Sequence, residues 1–416
     1  MLREVFFVFV WFLAGLTFAI SIGIYGGYGI ATSLLFLCSA FLVYLKPKWS
    51  ELNEDDKRLF YSFLAFGLSM FFFVFIDGFQ LKDLDRPSRF ILVLPVMLLL
   101  LQATDKKEWL WHGVVIGAIF AFGVAWYERV ILGYGRAENG QHPIMFGNTG
   151  MLLGMLCFAS STYFLSHKRY LWLLLSLIAG ICGVGASVLS ASRGGWVALP
   201  LIGLFLFWQS RFLFKRSAWL LFGITTCIFI VSVILVPQTG VKERLNEAVG
   251  DVSNYTSGVN KDTSVGLRFE MWRAAFYMFQ DSPVLGAGVH SSIVVKKELL
   301  DEGLVIPEAL AYGHAHNEYI NALGYRGVVG LAFLLLVYLV PLRLFLKKME
   351  QYKDNWNIKS YAMAGALVPM CYMDFGLSQV MFAHNIGVMM YAFPIVYFWA
   401  AVRWAEHEEQ IKTIDS

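Results

Sequence analysis

The sequence predicts an all-α polytopic membrane protein, and three observations lead to that fold class. The 416 residues are 58% hydrophobic and only 15% charged. Apolar runs of spanning length recur from end to end, as membrane helices require, because backbone in lipid must satisfy its own hydrogen bonds. A single long polar stretch, residues 237–326, interrupts these runs. We therefore expect a bundle of membrane helices with one large segment outside the bilayer.

Twelve segments have the composition of membrane spans. They lie near residues 5–25, 30–45, 59–76, 89–103, 109–127, 144–165, 170–190, 194–210, 218–236, 327–346, 360–380 and 385–402. The fourth and eighth have apolar cores shorter than the ~20 residues needed to cross a bilayer untilted, so we expect twelve to within one or two. The chain then divides into spans one to nine (1–236), the insert (237–326), spans ten to twelve (327–403) and a charged tail (404–416).

Basic residues in the short loops predict the orientation of these spans. If the N-terminus is cytoplasmic, the loops on that side hold nineteen Lys and Arg residues, and the opposite loops hold six. Because basic loops stay in the cytoplasm, we expect both termini there and the insert on the outer side. The insert itself carries eight basic and eleven acidic residues, which argues against a nucleic-acid partner.

The insert shows little sign of a metal site or a covalent cross-link. All five cysteines lie in predicted spans, and none lies between residues 237 and 326. We therefore expect no disulfide there, no zinc site, no other metal and no cofactor. Within the insert the pattern predicts helices over 241–252 and 266–280, joined by a polar linker at 253–264. Turn residues follow at 281–288.

Five arginines lie on the predicted outer side, close to apolar spans. A guanidinium is always charged and grips phosphate oxygens in pairs, so such a cluster suits a lipid-linked phosphate or pyrophosphate. The alternative is that each arginine anchors a helix end by reaching to the headgroups. The five candidates are Arg86, Arg89, Arg136, Arg193 and Arg268.

Arg268 has the strongest case among them, on helical geometry. In a helix over 266–280, Glu270 and Arg273 share a polar stripe, whereas Arg268 lies on a row with Trp272 and Phe279. Arg268 also falls in the first turn, beside free amide groups and the positive end of the helix dipole. A cation there is unfavourable unless an anion arrives, so we expect Arg268 to bind phosphate.

The end of the insert carries the clearest catalytic candidates, His314 and His316, followed by Asn317. The alternative is a structural pair that hydrogen-bonds loop backbone. Imidazole is the usual general base near neutral pH, and a helix starting after Asn317 would fix His316 at the membrane surface. We expect His316 to be the base, His314 to orient it or the acceptor, and Asn317 to support them. Other outward histidines, His142, His290 and His384, are weaker candidates.

These residues resemble a known family. The block Arg268-Phe-Glu-Met-Trp-Arg-Ala-Ala, the turn 281–288 and the block His314-Ala-His-Asn-Glu-Tyr through Gly330 are similar to the signature of the O-antigen ligase and polymerase superfamily. The segment around Arg193 fits the same pattern. Within the superfamily the chain is most similar to the ligases of Gram-negative bacteria.

The resemblance implies a membrane-embedded glycosyltransferase of GT-C-like fold in the bacterial inner membrane. Its donor would be a polysaccharide on undecaprenyl pyrophosphate, and its acceptor the lipid A–core oligosaccharide, joined on the periplasmic side without metal. Such a donor needs a base and cations for the departing pyrophosphate. His316 would be the base, Arg193 and Arg268 would bind pyrophosphate, and Arg86, Arg89 and Arg136 would assist. Direct attack would invert the anomeric centre.

Three alternatives remain open from sequence. An O-antigen polymerase uses the same donor with a second lipid-linked chain as acceptor. A protein O-oligosaccharyltransferase of the same superfamily modifies Ser or Thr. A polysaccharide transporter should show paired repeats and discontinuous helices at the membrane midplane, and we find neither in the sequence.

Overall fold

The computed structural model describes residues 2–192, 194–197, 199–213, 223 and 250–415. In that part of the chain every regular element is a helix, so the predicted all-α polytopic fold is confirmed. The α-helices are α1 (Leu2–Ile20), α2 (Gly27–Cys38), α3 (Leu42–Leu45), α4 (Glu54–Ile76), α5 (Asp85–Gln102), α6 (Glu108–Trp126), α7 (Pro143–Ser166), α8 (Tyr170–Leu189), α9 (Leu199–Ser210), α10 (Ser264–Asp281), α11 (Ser291–Asp301), α12 (Glu318–Gln351), α13 (Trp356–Phe375) and α14 (Asn385–Asp415).

Eight helical segments in the described ranges are long and apolar enough to cross a membrane. They are α1, α2 with α3, α4, α6 with the π turn that follows it, α7, α8, α12 and α14. The helices α5 and α9 correspond to the two predicted spans with short apolar cores, and α13 to the eleventh. The predicted ninth span, 218–236, lies outside the described residues, as does most of the predicted helix 241–252.

The centre of the bundle is built from α7 and α14, which are buried over most of their length. Small residues allow α7 and α8 to approach closely. A Cβ on Gly183 would lie 2.5 Å from the backbone nitrogen of Gly154, so only a glycine fits there. Close contact between small residues is the usual way for helices to associate in lipid. The loop that leads from α8 toward α9 begins at the end of this helix pair, at Ser190.

The helix α12 is discontinuous near its N-terminal end. Gly327 has φ +64° and ψ −163°, which breaks the helix after its first two turns. The segment 282–288, which we call the plug turn, fills the break. Val328 and Val329 donate backbone hydrogen bonds to Pro283 and Val284, and residues 287 and 288 donate to the carbonyls of residues 324 and 325. The backbone groups freed by the break are thus satisfied inside the protein.

Two aspartates fasten the insert to the loop between α4 and α5. The Asp77 carboxylate accepts backbone hydrogen bonds from Val289, His290 and Ser291 at the start of α11, where a negative charge stabilises a helix N-terminus. Asp83 lies 2.8 Å from the Nε2 atom of His290. His290 is therefore held against the loop between α4 and α5.

The secondary structure of the insert differs from prediction in two places. The helix predicted over 266–280 is confirmed as α10, Ser264–Asp281. The predicted linker 253–264 is wrong in its first part, because residues 250–256 are helical. The helix α11 was not predicted at all. The first two turns of α12, from Glu318, lie in the predicted insert, and the helix breaks at Gly327, where the tenth span was predicted to begin.

Candidate active site

The helix cap at Asn317 positions the two histidines. Its side-chain oxygen accepts hydrogen bonds from the backbone of Tyr319 and Ile320, both at 3.0 Å, and its amide donates to the carbonyl of Leu377. Asparagine is a favoured N-cap because it satisfies amide groups that have no partner in the helix. The helix predicted to start after Asn317 is therefore confirmed, and it fixes the loop that precedes it.

The loop carrying the histidines is held from three further directions. The indole of Trp272 donates to the carbonyl of Ala315, between the two histidines, at 2.9 Å. The backbone nitrogen of Ala315 donates to the side chain of Asn321 at 3.1 Å. Lys296 from α11 donates to the carbonyl of Tyr312 at 2.8 Å. The row of α10 that contains Trp272 thus faces the histidine loop.

His316 has a left-handed backbone conformation, with φ +47°. Non-glycine residues seldom adopt this conformation, and it persists where the surroundings impose it. Here the contacts of the neighbouring residue Ala315 and the cap at Asn317 hold the backbone on both sides. The result is an imidazole turned back toward His314, with ring centroids 4.4 Å apart.

The structure brings two further histidines to this pair. The ring of His384, at the start of α14, lies 6.0 Å from that of His314. The ring of His142, which caps α7, lies 5.4 Å from that of His384. We call His142, His314, His316 and His384 the histidine row. Sequence reasoning ranked His142 and His384 as weak, because only tertiary packing places them beside the motif.

Burial and mutual repulsion keep the histidine row neutral. Burial, together with neighbouring histidines and cations, lowers the pKa of His314 to about 4 and that of His316 to about 3. Burial likewise lowers the pKa of His384 to about 3, with His142 and His314 adding to the shift. The pKa of His142 is lowered by burial and by Arg136. A second proton in the row is therefore opposed by the first.

Two of the five predicted arginines act on the three inner rings of the histidine row, those of His314, His316 and His384. The positive charge of Arg268 contributes to the lowered pKa of His316, so its guanidinium lies near that ring. Arg86 does the same for His314 and His384. The structure therefore places Arg268 of α10 and Arg86 of α5 beside the histidines, although these two arginines are far apart in the sequence.

Of the other three arginines, two have contacts elsewhere and one lies outside the described residues. Arg89 forms an ion pair with Asp85 at 2.9 Å, one helical turn away, and does not line the cavity described below. Arg136 donates to the carbonyl of Ser190 at 3.0 Å and to the hydroxyl of Ser192 at 3.1 Å. It therefore holds the loop that leads to Arg193. Arg193 itself lies outside the described residues.

The prediction that Glu270 lies on a polar face of α10 is wrong. Its side chain is fully buried and accepts hydrogen bonds from the Tyr255 hydroxyl at 2.7 Å and the backbone of Ile306 at 3.0 Å. Glu270 therefore ties three parts of the insert together instead of facing solvent. The expected pairing with Arg273 is present, with the two charged groups 4.0 Å apart and Arg273 partly exposed.

A cavity of about 420 Å³ opens beside the histidine row, between α4, α5, the plug turn and α12. One end is charged and includes His314, the cations Lys82, Arg86 and Arg326, and the acidic residues Asp77, Asp83 and Glu318. The other end is apolar and continues down into the bundle. Its apolar lining includes Phe66, Met70, Phe73, Pro87, Phe90 and Leu334.

Among the charged residues of this cavity that were not proposed from sequence, two lie on α12. Glu318 and Arg326 lie on the first two turns of α12, which were counted as part of the insert. The only signal in the sequence was a charged residue directly before an apolar run. The break at Gly327 keeps both side chains at the charged end of the cavity, where their charges interact.

The arrangement suits acid–base and anion chemistry. Within the described ranges, no three His, Cys, Asp or Glu side chains are placed to hold a metal ion. What converges instead is a neutral imidazole row, guanidinium groups and an apolar pocket. Such a site can take a proton from a hydroxyl and stabilise negative charge on a departing group.

Comparison with known proteins gives three matches. The family model described as O-Antigen ligase matches residues 178–335, a range that includes Arg268, His314 and His316. An uncharacterized protein of Haemophilus influenzae (strain Rd) is 28% identical over 375 residues, which cover 89% of this chain and 93% of that protein. An O-antigen ligase of Escherichia coli (strain K12) is 26% identical over 251 residues, which cover 57% of this chain and 56% of that protein.

Proposed function

We propose that this membrane protein, whose resemblance to the O-antigen ligase superfamily is confirmed, is a glycosyltransferase-type enzyme, as that family implies. From that premise we propose that the chain transfers O-antigen polysaccharide from undecaprenyl pyrophosphate to the lipid A–core oligosaccharide. The single observation that carries the proposal is the cavity beside the histidine row. Lys82, Arg86 and Arg326 lie at its charged end together with three acidic residues, two of which already hold the start of α11 and His290, and most of the rest of its lining is apolar. A polyprenyl pyrophosphate likewise consists of a charged head and a long apolar chain.

The donor binds with its pyrophosphate among the cations of the cavity. Arg86 and Arg326 line the charged end, and Arg268 approaches from α10 near His316. Paired guanidinium groups match phosphate oxygens in geometry as well as in charge. Arg193 is expected to join them from the loop that Arg136 holds. The polyprenyl chain follows the apolar lining between α4 and α12.

His316 takes the proton from the acceptor sugar hydroxyl. The oxygen's electron pair forms the new bond to the anomeric carbon, while the bond from that carbon to the pyrophosphate breaks and its electrons leave with the phosphate oxygen. Burial holds the pKa of His316 at about 3 in the unliganded protein. An opposite charge raises the pKa of an imidazole, so the bound pyrophosphate makes His316 a stronger base when the donor is present.

The site faces the periplasm in this proposal, and the membrane is the bacterial inner membrane. The distribution of basic loops supports this orientation, since it puts the insert on the outer side. In the structure the insert and the loop between α4 and α5 lie at the same end of the bundle, because Asp77 and Asp83 join them. The donor, the acceptor and the histidine row then meet at the periplasmic surface of the inner membrane.

The lipopolysaccharide ladder of a deletion strain tests the proposal. Loss of all O-chains from lipid A, with long chains retained on the polyprenyl carrier, is the expected result. A single repeat unit left on the core would instead indicate a polymerase. An unchanged ladder would contradict both, and purified protein incubated with lipid-linked polysaccharide and lipid A–core should then show no transfer.

A further inference from the structure

Exposed apolar side chains gather where the insert joins α4. In the first turn of α11, Ile293 is 68% exposed and Val294 59%, and in the loop between α4 and α5, Leu81 is 76% exposed and Phe79 51%. Single exposed apolar residues are common on proteins, but a group of this size on one surface marks a contact with a membrane or with another molecule. We call these four residues and Val289, which is also exposed, the apolar rim.

Hydrogen bonds join the two parts of the apolar rim. Asp77 follows the last residue of α4 and accepts from the backbone of Val289 and His290. Asp83 lies 2.8 Å from the Nε2 atom of His290. Each residue of the rim lies within a turn of one of these contacts in the sequence. The loop between α4 and α5 and the start of α11 therefore form one surface.

The apolar rim continues the lipid-facing surface of two spans. On α4, which is long and apolar enough to cross a membrane, Phe72, Phe75 and Ile76 are exposed directly before the loop. On the other side of the rim, the plug turn fills the break in α12 and exposes Val284 and Leu285. Backbone outside a helix does not occur in contact with the hydrocarbon layer, so the rim lies at the edge of that layer.

The exposed side of α11 changes from apolar to charged along its length. Ile293 and Val294 lie at its beginning, whereas Lys297 and Asp301 follow on the same side. The opposite side packs against the rest of the insert. A helix that lies flat on a membrane has an apolar face over its whole length. The pattern of α11 instead suits a tilted helix, whose first turn contacts lipid and whose last turn stays in water.

We propose that the apolar rim inserts into the bilayer leaflet on the side of the insert, so that phospholipid acyl chains cover it. Its side chains reach the boundary between headgroups and acyl chains, which amphipathic segments enter to a depth of ~5–10 Å. Lys82 and Lys297 are exposed beside the rim and bring positive charge to the headgroup phosphates. This contact does not depend on which reaction the protein catalyses.

The apolar rim borders the cavity beside the histidine row. Ile76 and Val289 are exposed and also line the cavity, so the cavity opens at the level of the rim. A lipid-linked donor can then enter sideways from the leaflet, while its charged head meets Lys82 and Arg86. Its apolar chain is never exposed to water on this route. The route rests on the proposed function, whereas the membrane contact does not.

Fluorescence quenching in nanodiscs tests the membrane contact. The fluorophore NBD is attached to the cysteine of Ile293→Cys or of the matched control Asp301→Cys, ~12 Å further along the exposed side of α11. The signal of wild-type protein treated in the same way is subtracted, to correct for the native cysteines. The nanodiscs contain phosphatidylethanolamine and phosphatidylglycerol, with or without bromine on the acyl chains. Iodide in the buffer reports contact with water.

We expect brominated acyl chains to quench the label at position 293 at least ~2-fold more than the label at 301, because only the first turn lies within the depth that interfacial helices reach. Iodide should show the reverse order. Ile293 is largely exposed, so its replacement leaves the core of the insert unchanged. Leu81→Cys repeats the measurement on the other part of the rim and should behave like Ile293→Cys.

Two outcomes would overturn the proposal. Equal quenching at positions 293 and 301, by either quencher, would mean that the rim has no preferred contact with lipid. Protection of position 293 from both quenchers would mean that another protein, or a second copy of this chain, covers the rim. None of these measurements requires turnover. A protein that transfers no polysaccharide would therefore contradict the proposed function without changing the quenching result.

Discussion

His316 and His314 share a loop but have different surroundings. His316 has the left-handed backbone, an open buried nitrogen and the neighbouring charge of Arg268. His314 uses its Nδ1 atom to accept from the backbone of His316. The pair is therefore asymmetric, with His316 available for chemistry and His314 already committed to a local contact. This asymmetry supports the order of importance that the sequence predicted.

We predict that His316→Ala abolishes glycosyl transfer, because removal of a positioned general base costs ~10²–10⁴-fold in rate. His314→Ala should lose less. The measurement is in vitro transfer at matched membrane abundance. Wild-type-like transfer by His316→Ala would contradict its role as base, and a larger loss in His314→Ala would require the two roles to be exchanged.

A second prediction compares Arg268 with Arg273, five residues apart on α10. Arg268→Ala should lower activity at least ~10-fold, since charge-assisted hydrogen bonds contribute ~1.5–3 kcal/mol each. Arg268→Lys should also be poor, because an ammonium lacks the planar fork. Arg273 contacts Glu270 and Tyr277 and is partly exposed, so Arg273→Ala should cost little. Equal losses at both positions, or full activity in Arg268→Lys, would show that the helix face is misassigned.

The sequence predicted part of the site for a physical reason. Residues 314–317 and Arg268 could be identified because a helix start and a helical face are local properties. The positions of His142 and His384 depend on how α7 and α14 pack against the insert, and no local pattern encodes that packing. Burial of Glu270 escaped prediction for the same reason, since its partners Tyr255 and Ile306 come from different segments.

At the scale of elements, hydrophobicity predicted the spans and missed the features that shape the site. The long apolar runs of α1, α4 and α8 are unambiguous, because an unbroken apolar run of this length satisfies its own backbone hydrogen bonds in lipid when it is helical. The break in α12 has no comparable signal. A glycine among apolar residues is common in spanning helices, and only the plug turn shows why Gly327 interrupts this one.

We predict that Gly327→Ala destabilises the folded protein by at least ~2 kcal/mol. Its backbone conformation is one that residues with a Cβ adopt only under strain, and the added Cβ would lie 2.3 Å from the Val284 carbonyl. Thermal unfolding in detergent should show a lower midpoint. The control is Gly123→Ala on α6, where the added Cβ has nothing within 4 Å and should be neutral or slightly stabilising. Equal midpoints for the two variants would contradict the role of the break.

At the scale of the whole molecule, the histidine row couples stability to pH. An unfolded histidine takes up a proton near its ordinary pKa of 6.5, whereas burial lowers the pKa of His314 to about 4 and those of His316 and His384 to about 3. Between those values the unfolded chain binds more protons than the folded one. The contribution of these rings to the free energy of unfolding is therefore complete above about pH 6.5. It is lost as the pH falls from there toward the pKa values of the folded protein.

The corresponding prediction concerns His384→Gln. Wild-type protein should lose on the order of 1–3 kcal/mol more than the variant between pH 7 and pH 4, since the variant has one fewer neutral ring to protonate. Apparent unfolding midpoints at a fixed heating rate measure the difference. His407→Gln, an exposed histidine at the opposite end of the bundle, should follow the wild type. Parallel pH curves for all three proteins would contradict the burial of the row.

The plug turn also bears on how the chain enters the membrane during synthesis. Residues 282–288 leave the ribosome before residues 327–351, so the acceptors that complete the helix break already exist when the break emerges. In the folded protein the backbone amides of Val328 and Val329 donate to this turn. We therefore expect the plug turn to dock in the break as α12 takes its final position. The same turn then joins the membrane bundle to the segment that carries the candidate active site.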